Sequence, residues 1–144
     1  IKTQHANKEF VEVSEPINVH LEDSWISIYP YDGLKITFSI EYPHPLIRQQ
    51  SLSIDITPES FSKEISYART FGFKKDIERF YSQGLAQGGS LDNAVVLDDK
   101  VVMNPGGLRS KDEFVRHKVL DLLGDMALIG SPLRGHIIAH KSGH

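Results

Sequence analysis

The stretch Ser110-Lys111-Asp112-Glu113-Phe114-Val115-Arg116-His117-Lys118-Val119-Leu120-Asp121-Leu122-Leu123-Gly124-Asp125-Met126-Ala127 carries the strongest helical pattern in the chain. At roughly 100° per residue, Val115, Val119, Leu122 and Met126 fall on one side, while His117, Lys118, Asp121 and Asp125 share an arc about 100° wide on the other. Leu120, Leu123 and Ala127 extend the apolar flank, so most of this helix is expected to be packed and its narrow polar stripe to face a cleft. Ser110 and Glu113 have the spacing of a capping box, in which each side chain satisfies an orphan amide, and Gly130 with Pro132 stops the helix.

Upstream, the pattern changes to period two. Phe10-Val11-Glu12-Val13, Ile17-Asn18-Val19-His20-Leu21, Trp25-Ile26-Ser27-Ile28-Tyr29, Leu34-Lys35-Ile36-Thr37-Phe38-Ser39-Ile40 and Leu52-Ser53-Ile54-Asp55-Ile56 read as strands, separated by turn-forming residues. Residues 42–50, with two prolines, read as a loop. Thr57 and Pro58 start a moderately helical segment over 58–68, and a clearer helix spans 74–82, stopped by Gly84. Residues 94–97 and 101–103 read as a strand pair around Asp98-Asp99-Lys100, and 136–140 as a last strand. These elements predict one α+β domain over residues 1–144: a mixed or antiparallel sheet with a layer of helices on one face, a two-layer sandwich.

The 144 residues, 40% apolar, suffice for a genuine core. Cysteine is absent, which excludes disulfides and thiolate metal sites and leaves His, Asp and Glu as the strong metal ligands. A formal charge of -3 without a Lys/Arg cluster argues against a nucleic-acid partner. No apolar run approaches the roughly 20 residues of a membrane span, and residues 1–8 lack the apolar stretch of a signal peptide. Absence of cysteine fits a cytoplasmic location. The chain starts without Met, so an excerpt or a processed product is expected.

Chemistry concentrates on the polar stripe. His117 and Asp121, four residues apart, project from adjacent turns and can reach one cation, with Gly124 leaving space nearby. A plain His/Asp ion pair would have the same spacing. Asp125 reads either as a third ligand or as a carboxylate that orients an imidazole, His144 being a candidate because it follows a strand in a glycine-containing loop. His5, His20, His44, His136 and His140 have no spacing that recommends them.

The segments Arg69-Thr70-Phe71-Gly72-Phe73, Gly88-Gly89-Ser90, Asn104-Pro105-Gly106-Gly107-Leu108-Arg109, Val115 through Asp125 and Lys141-Ser142-Gly143-His144 together resemble, in order and spacing, the UDP-3-O-acyl-N-acetylglucosamine deacetylases of lipid A synthesis. The resemblance is clear over residues 67–144. It implies a bacterial, cytoplasmic zinc amidohydrolase, peripheral to the inner membrane, that removes acetate from UDP-3-O-acyl-N-acetylglucosamine. In that frame His117 and Asp121 match two of three zinc ligands, and Thr70 matches a hydroxyl that stabilises the tetrahedral oxyanion. His144 matches the imidazole that protonates the leaving amine, and Asp125 the carboxylate that keeps it charged and oriented. Lys118 matches a substrate-binding cation, while Phe71, Phe73, Gly89 and Ser90 match the walls of the substrate site. Phe73, Ile77, Phe80, Leu85 and Ala86 are candidates for an acyl-chain passage, and ordinary core packing accounts for Ile77 and Phe80 equally well.

One departure qualifies the match. The family's remaining zinc histidine and its general-base glutamate lie in a His-Glu motif of an N-terminal domain, and this sequence has no such motif. The resemblance therefore implies the second domain of the deacetylase, incomplete at both ends and inactive by itself. A non-enzymatic lipid- or partner-binding module of the same fold, and a nucleotide-sugar hydrolase of different chemistry, are the rival readings.

Overall fold

In the first third of the chain, β-branched and aromatic residues alternate with polar ones, and this period sorts them onto the two faces of a sheet. The computed structural model describes residues 6–7, 9–84 and 87–143. Five strands come first: β1 (Val11–Glu12), β2 (Ile17–Leu21), β3 (Ser24–Tyr29), β4 (Leu34–Tyr42) and β5 (Arg48–Asp55). The last strand, β8 (Leu133–His140), inserts between β3 and β4 to give the order β2-β3-β8-β4-β5, with β1 pairing alongside the start of β8. Strand β8 runs antiparallel to β3 and parallel to β4, so Trp25 and Ser39 both flank His140 and Ile28 and Ile36 both flank Ile137.

One face of this sheet is the core. Ile36, Phe38 and Ile40 of β4 and Leu133, Ile137 and Ala139 of β8 are buried there against α3 (Glu113–Ala127), through Phe114, Val115, Val119 and Leu122. The helical arcs read from the sequence match this contact. The opposite face carries Thr37, Ser39, His136 and His140, with hydroxyl-imidazole bonds from Thr37 to His136 (2.9 Å) and from Ser39 to His140 (2.8 Å). Gly135 permits the close approach at the head of β8, since a Cβ there would lie 3.0 Å from Ile28 Cγ2 and 3.3 Å from the Tyr29 carbonyl oxygen.

A smaller unit packs beside the sheet. Strand β6 (Thr70–Phe73), helix α2 (Lys74–Ser82) and strand β7 (Ala94–Leu97) form a parallel pair with its crossover helix, and Val95 and Leu97 of β7 reach the main core. Between β5 and β6, α1 (Pro58–Ser60) starts with Thr57 and Ser60 in a reciprocal cap and widens into a π-helical turn over Phe61–Ile65. The expected α+β class, with helices on one face of a mixed sheet, is the observed one. Among the described residues no helix is long and apolar enough to cross a membrane.

Four local expectations change. Strand β4 runs on to Tyr42 and β5 begins at Arg48, so the turn around the two prolines is shorter than 42–50. Cross-strand bonding carries the pairing past Ile40, which a count of apolar alternation cannot see. Thr70–Phe73 is a strand and the true partner of β7, whereas residues 101–103 contribute one bridge, Val102 to Leu97. The segment after Thr57 is helical only over 58–65. The capping box at Ser110 does not form: the helix starts at Glu113, Asp112 occupies the cap position without a side-chain cap bond, and the Glu113 carboxylate is drawn to Arg69 instead.

Phe38 is 1% exposed between sheet and helix. Phe38→Ala is expected to lower the unfolding free energy by about 3–5 kcal/mol in a denaturant titration. Leu21→Ala on the exposed edge strand is expected to shift it by less than about 0.5 kcal/mol.

Candidate functional site

Helix α3 sets the geometry. Residues one turn apart bring His117 Nε2 to 3.1 Å from Asp121 Oδ1, and Lys118 Nζ to 3.1 Å from Asp121 Oδ2. The other imidazole nitrogen, Nδ1, lies 3.2 Å from the Ala68 carbonyl oxygen, which can only accept, so Nδ1 carries a proton. That bond turns Nε2 toward Asp121. Burial pushes the Asp121 carboxyl up, but the hydrogen bond and charge of His117, followed by those of Lys118, bring it down from 3.8 to about 2. A carboxylate and an imidazole nitrogen thus face each other at the wall of a recess, with the imidazole held from behind by a backbone carbonyl, a geometry that a plain His/Asp ion pair and a metal-ligating histidine share.

The recess around this pair is lined by Tyr42, Thr70, Phe71, Asp76, Phe80 and Lys118 and measures about 270 Å³. Several cavities share its walls, and two of them contrast in chemistry. On one side an apolar pocket of about 660 Å³ shares Thr70, Phe71 and Phe80 and continues along Ile77, Gly88, Gly89, Ser90 and Val96. On the other a polar recess of about 400 Å³ shares Tyr42 and Lys118 and adds Asp23, Glu41, Lys141, Ser142 and Gly143. Lys141 is bridged to Glu41 at 2.9 Å and to Asp23 at 3.1 Å, and sits at φ 50°, a left-handed conformation uncommon for a residue with a Cβ. The sheet therefore delivers the residues after β8 to the side of α3 that carries Lys118.

Most of the expected site residues meet here. His117, Asp121, Lys118, Thr70 and Phe71 share the central recess, and Gly89 and Ser90 line the apolar pocket. Asp125 lies beside Ser142 and Gly143, the residues before His144. His144 itself lies outside the described residues, as do Leu85, Ala86 and His5. Phe73, with Tyr42, is shared by the central recess and a further cavity of about 410 Å³ that includes His44 and Lys74, while Ile77 and Phe80 line the apolar pocket. Phe71 is also a packing residue, edge-on to Phe114 at 5.0 Å and to Tyr42 at 5.5 Å.

Sequence reasoning missed two things. Tyr42, assigned to a loop, ends β4 in the wall of the site, and burial together with the charge of Asp121 raises its hydroxyl pKa. The fully buried Glu113 meets Arg69, 9% exposed, in a bidentate pair with Nε–Oε1 at 2.8 Å and Nη2–Oε2 at 3.1 Å. The visible signal for this pair was Arg69 in the quoted Arg-Thr-Phe-Gly-Phe segment, since Glu113 looked like a capping residue.

Among the described residues, no group of three or more His, Cys, Asp or Glu gathers to hold a metal. His117 and Asp121 fit zinc in donor type, and a catalytic zinc takes three protein ligands, one more than this pair offers.

Comparison with known proteins gives the context. The family model described as LpxC, UDP-3-O-acyl N-acetylglycosamine deacetylase, matches residues 1–144. Among curated relatives, the UDP-3-O-acyl-N-acetylglucosamine deacetylase of Nitratidesulfovibrio vulgaris is 56% identical over 144 residues, covering 100% of this chain and 46% of that protein. The proteins of the same name from Oleidesulfovibrio alaskensis and Alcanivorax borkumensis are each 50% identical, with 47% and 48% of their lengths covered. The chain spans about half the length of the curated relatives it matches.

Because the folded-state pKa of Asp121 lies below its ordinary value, its pairing contributes stability that is fully present above about pH 4 and is lost as pH falls toward 2. An NMR titration of the Asp121 carboxyl is expected to give a midpoint near 2, and Lys118→Ala is expected to raise it. A midpoint at the ordinary value would mean that the two cations do not hold this carboxylate in solution.

Proposed function

Because the chain belongs to the UDP-3-O-acyl N-acetylglycosamine deacetylase family, we propose that it forms part of a zinc-dependent amidohydrolase of lipid A biosynthesis. Its substrate is UDP-3-O-acyl-N-acetylglucosamine, and the products are acetate and the free sugar amine. The observation that carries this reading is the three-part recess: a His/Asp pair between an apolar pocket on one side and a lysine-containing polar recess on the other. A substrate with a fatty chain at one end, an amide in the middle and a nucleotide diphosphate at the other has the same order of chemistry.

In this reading His117 and Asp121 hold the zinc, together with a third ligand from residues outside these 144. Zinc held there would supply Lewis acidity toward the amide carbonyl and lower the pKa of a water bound to it. The chain's own residues do the rest. The Thr70 hydroxyl, at the junction of the central and apolar pockets, donates to the carbonyl oxygen as negative charge develops on it. His144 gives its proton to the sugar nitrogen as the carbon-nitrogen bond breaks, and Asp125 keeps that imidazole charged and oriented. Lys118 supplies positive charge to the phosphates or sugar. Phe71, Ile77, Phe80, Gly89 and Ser90 enclose the acyl chain and keep water from it, and Phe73 borders the sugar. The general base, like the third ligand, comes from outside the chain.

The test is acetate release. A chain extended at both ends to the relatives' full length is expected to release acetate only with zinc bound, and the 144 residues by themselves are not. In the extended chain Asp121→Ala is expected to reduce turnover to background, and Thr70→Val to lower kcat by about 10²-fold or more. Robust zinc-dependent release by the 144 residues alone would overturn the two-part site. Full turnover by Asp121→Ala would overturn the metal assignment, and lipid binding without turnover in the extended chain would favour a binding module.

A further inference from the structure

One peptide group, between Ala68 and Arg69, is gripped from both sides by α3. Its N–H, on Arg69, donates to Glu113 Oε1 at 3.1 Å, and its C=O, on Ala68, accepts from His117 Nδ1 at 3.2 Å. In a trans peptide these two groups point in opposite directions, and residues 113 and 117 stand one turn apart along the helix, so the rigid plane spans the gap between them. Glu113 is itself immobilised. Its Oε1 also accepts from Arg69 Nε, and its Oε2 accepts from Arg69 Nη2 and from Arg109 N at 2.7 Å. The guanidinium is tied in turn to the Gly107 carbonyl at 2.8 Å. The next residue along the chain is Thr70.

We propose that the buried Glu113–Arg69 pair is a positioning device for the site, locking the 68–69 peptide plane so that its carbonyl orients the His117 imidazole and its continuation holds Thr70 at the same recess. This rests on the deacetylase reading for its catalytic consequence, and not for the geometry. Stability alone does not call for the pair, because a buried ion pair can often be replaced by apolar residues of similar volume at no cost. An apolar replacement cannot fix the direction of a peptide N–H. With Glu113 gone the plane is free to turn, the Ala68 carbonyl swings away from Nδ1, and the imidazole loses the acceptor that sets which nitrogen faces Asp121.

Nitrogen-15 NMR of the metal-free 144-residue chain reads the ring directly. In the wild type, His117 Nδ1 is expected to carry a slowly exchanging proton, and its absence would overturn the proposal without any variant. The double variant Arg69→Met/Glu113→Leu is expected to fold and to lose that signature. In the extended chain it is expected to bind zinc about tenfold or more weakly, and to lose kcat with KM within about twofold. Arg69→Lys, which leaves the Glu113 oxygen on the backbone N–H, is expected to keep the ring signature. If the double variant does not fold, Arg69→Leu/Glu113→Met, which also removes the acceptor from the residue 69 N–H, is read in the same way. An unchanged ring signature and zinc affinity in whichever variant folds would make the pair structural only and overturn the proposal. Should the wild-type extended chain fail to bind zinc or release acetate, the deacetylase reading falls, while the ring signature still decides the clamp.

Discussion

Strand β8 is the constraint on which the structure depends. Nothing else among the described strands joins the β2-β3 hairpin to the β4-β5 hairpin, and both hairpins would present open edges without it. It comes last in the chain, after α3, so the sheet closes only when residues far apart in sequence meet. Loop closure over that distance costs entropy that the pairing and the burial of Leu133, Ile137 and Ala139 must offset. The reward is positional. Because β8 lies parallel to β4 in the middle of the sheet, its end carries Lys141, Ser142 and Gly143 to the end of β4, beside Glu41 and Tyr42.

Helix α3 then acts as a ruler laid across that sheet. Its apolar arc is fixed by Ile36, Phe38 and Ile40, which leaves its polar arc no freedom to rotate. Glu113, His117, Asp121 and Asp125 mark four successive turns; Glu113, His117 and Asp125 each meet a different part of the chain, while Asp121 is paired within the helix. Glu113 takes Arg69, His117 takes the Ala68 carbonyl, Asp121 takes Lys118, and Asp125 faces Ser142 and Gly143. Charges drawn this far from water persist because each has a partner, and at Asp121 the hydrogen bonds and charges of His117 and Lys118 outweigh burial and hold the carboxyl below its ordinary pKa. The same pairing keeps a carboxylate ionised and ready to accept a cation.

Around this line the two flanking cavities differ in chemistry for reasons of local structure. The apolar pocket lies against the unit formed by β6, α2 and β7, with Ile77 and Phe80 turned inward from α2. The polar recess lies where strand ends and their turns expose backbone and charged side chains. Thr70 belongs to the first and to the central recess, and Lys118 to the second and to the central recess, so the site is a junction rather than a single pocket.

Local periodicity encodes one part of this structure and leaves the rest to tertiary contacts. The strands around β2, β3 and β4, the helix α2 and the face of α3 that carries His117, Lys118, Asp121 and Asp125 follow from alternation and helical spacing, which act over neighbouring residues. Five segments in the right order carried the family resemblance without any fold at all. Pairing partners were not legible, because hydrogen bonds between strands leave no mark in either strand: β7 looked like half of a hairpin and is parallel to Thr70–Phe73 instead. Tyr42 looked like part of a loop until the pairing of β4 with β5 extended the strand. Glu113 shows the limit most sharply. Its spacing from Ser110 fitted a cap, a local role, yet a fully buried carboxylate is held by whatever cation the tertiary fold brings to it, and only the fold brings Arg69.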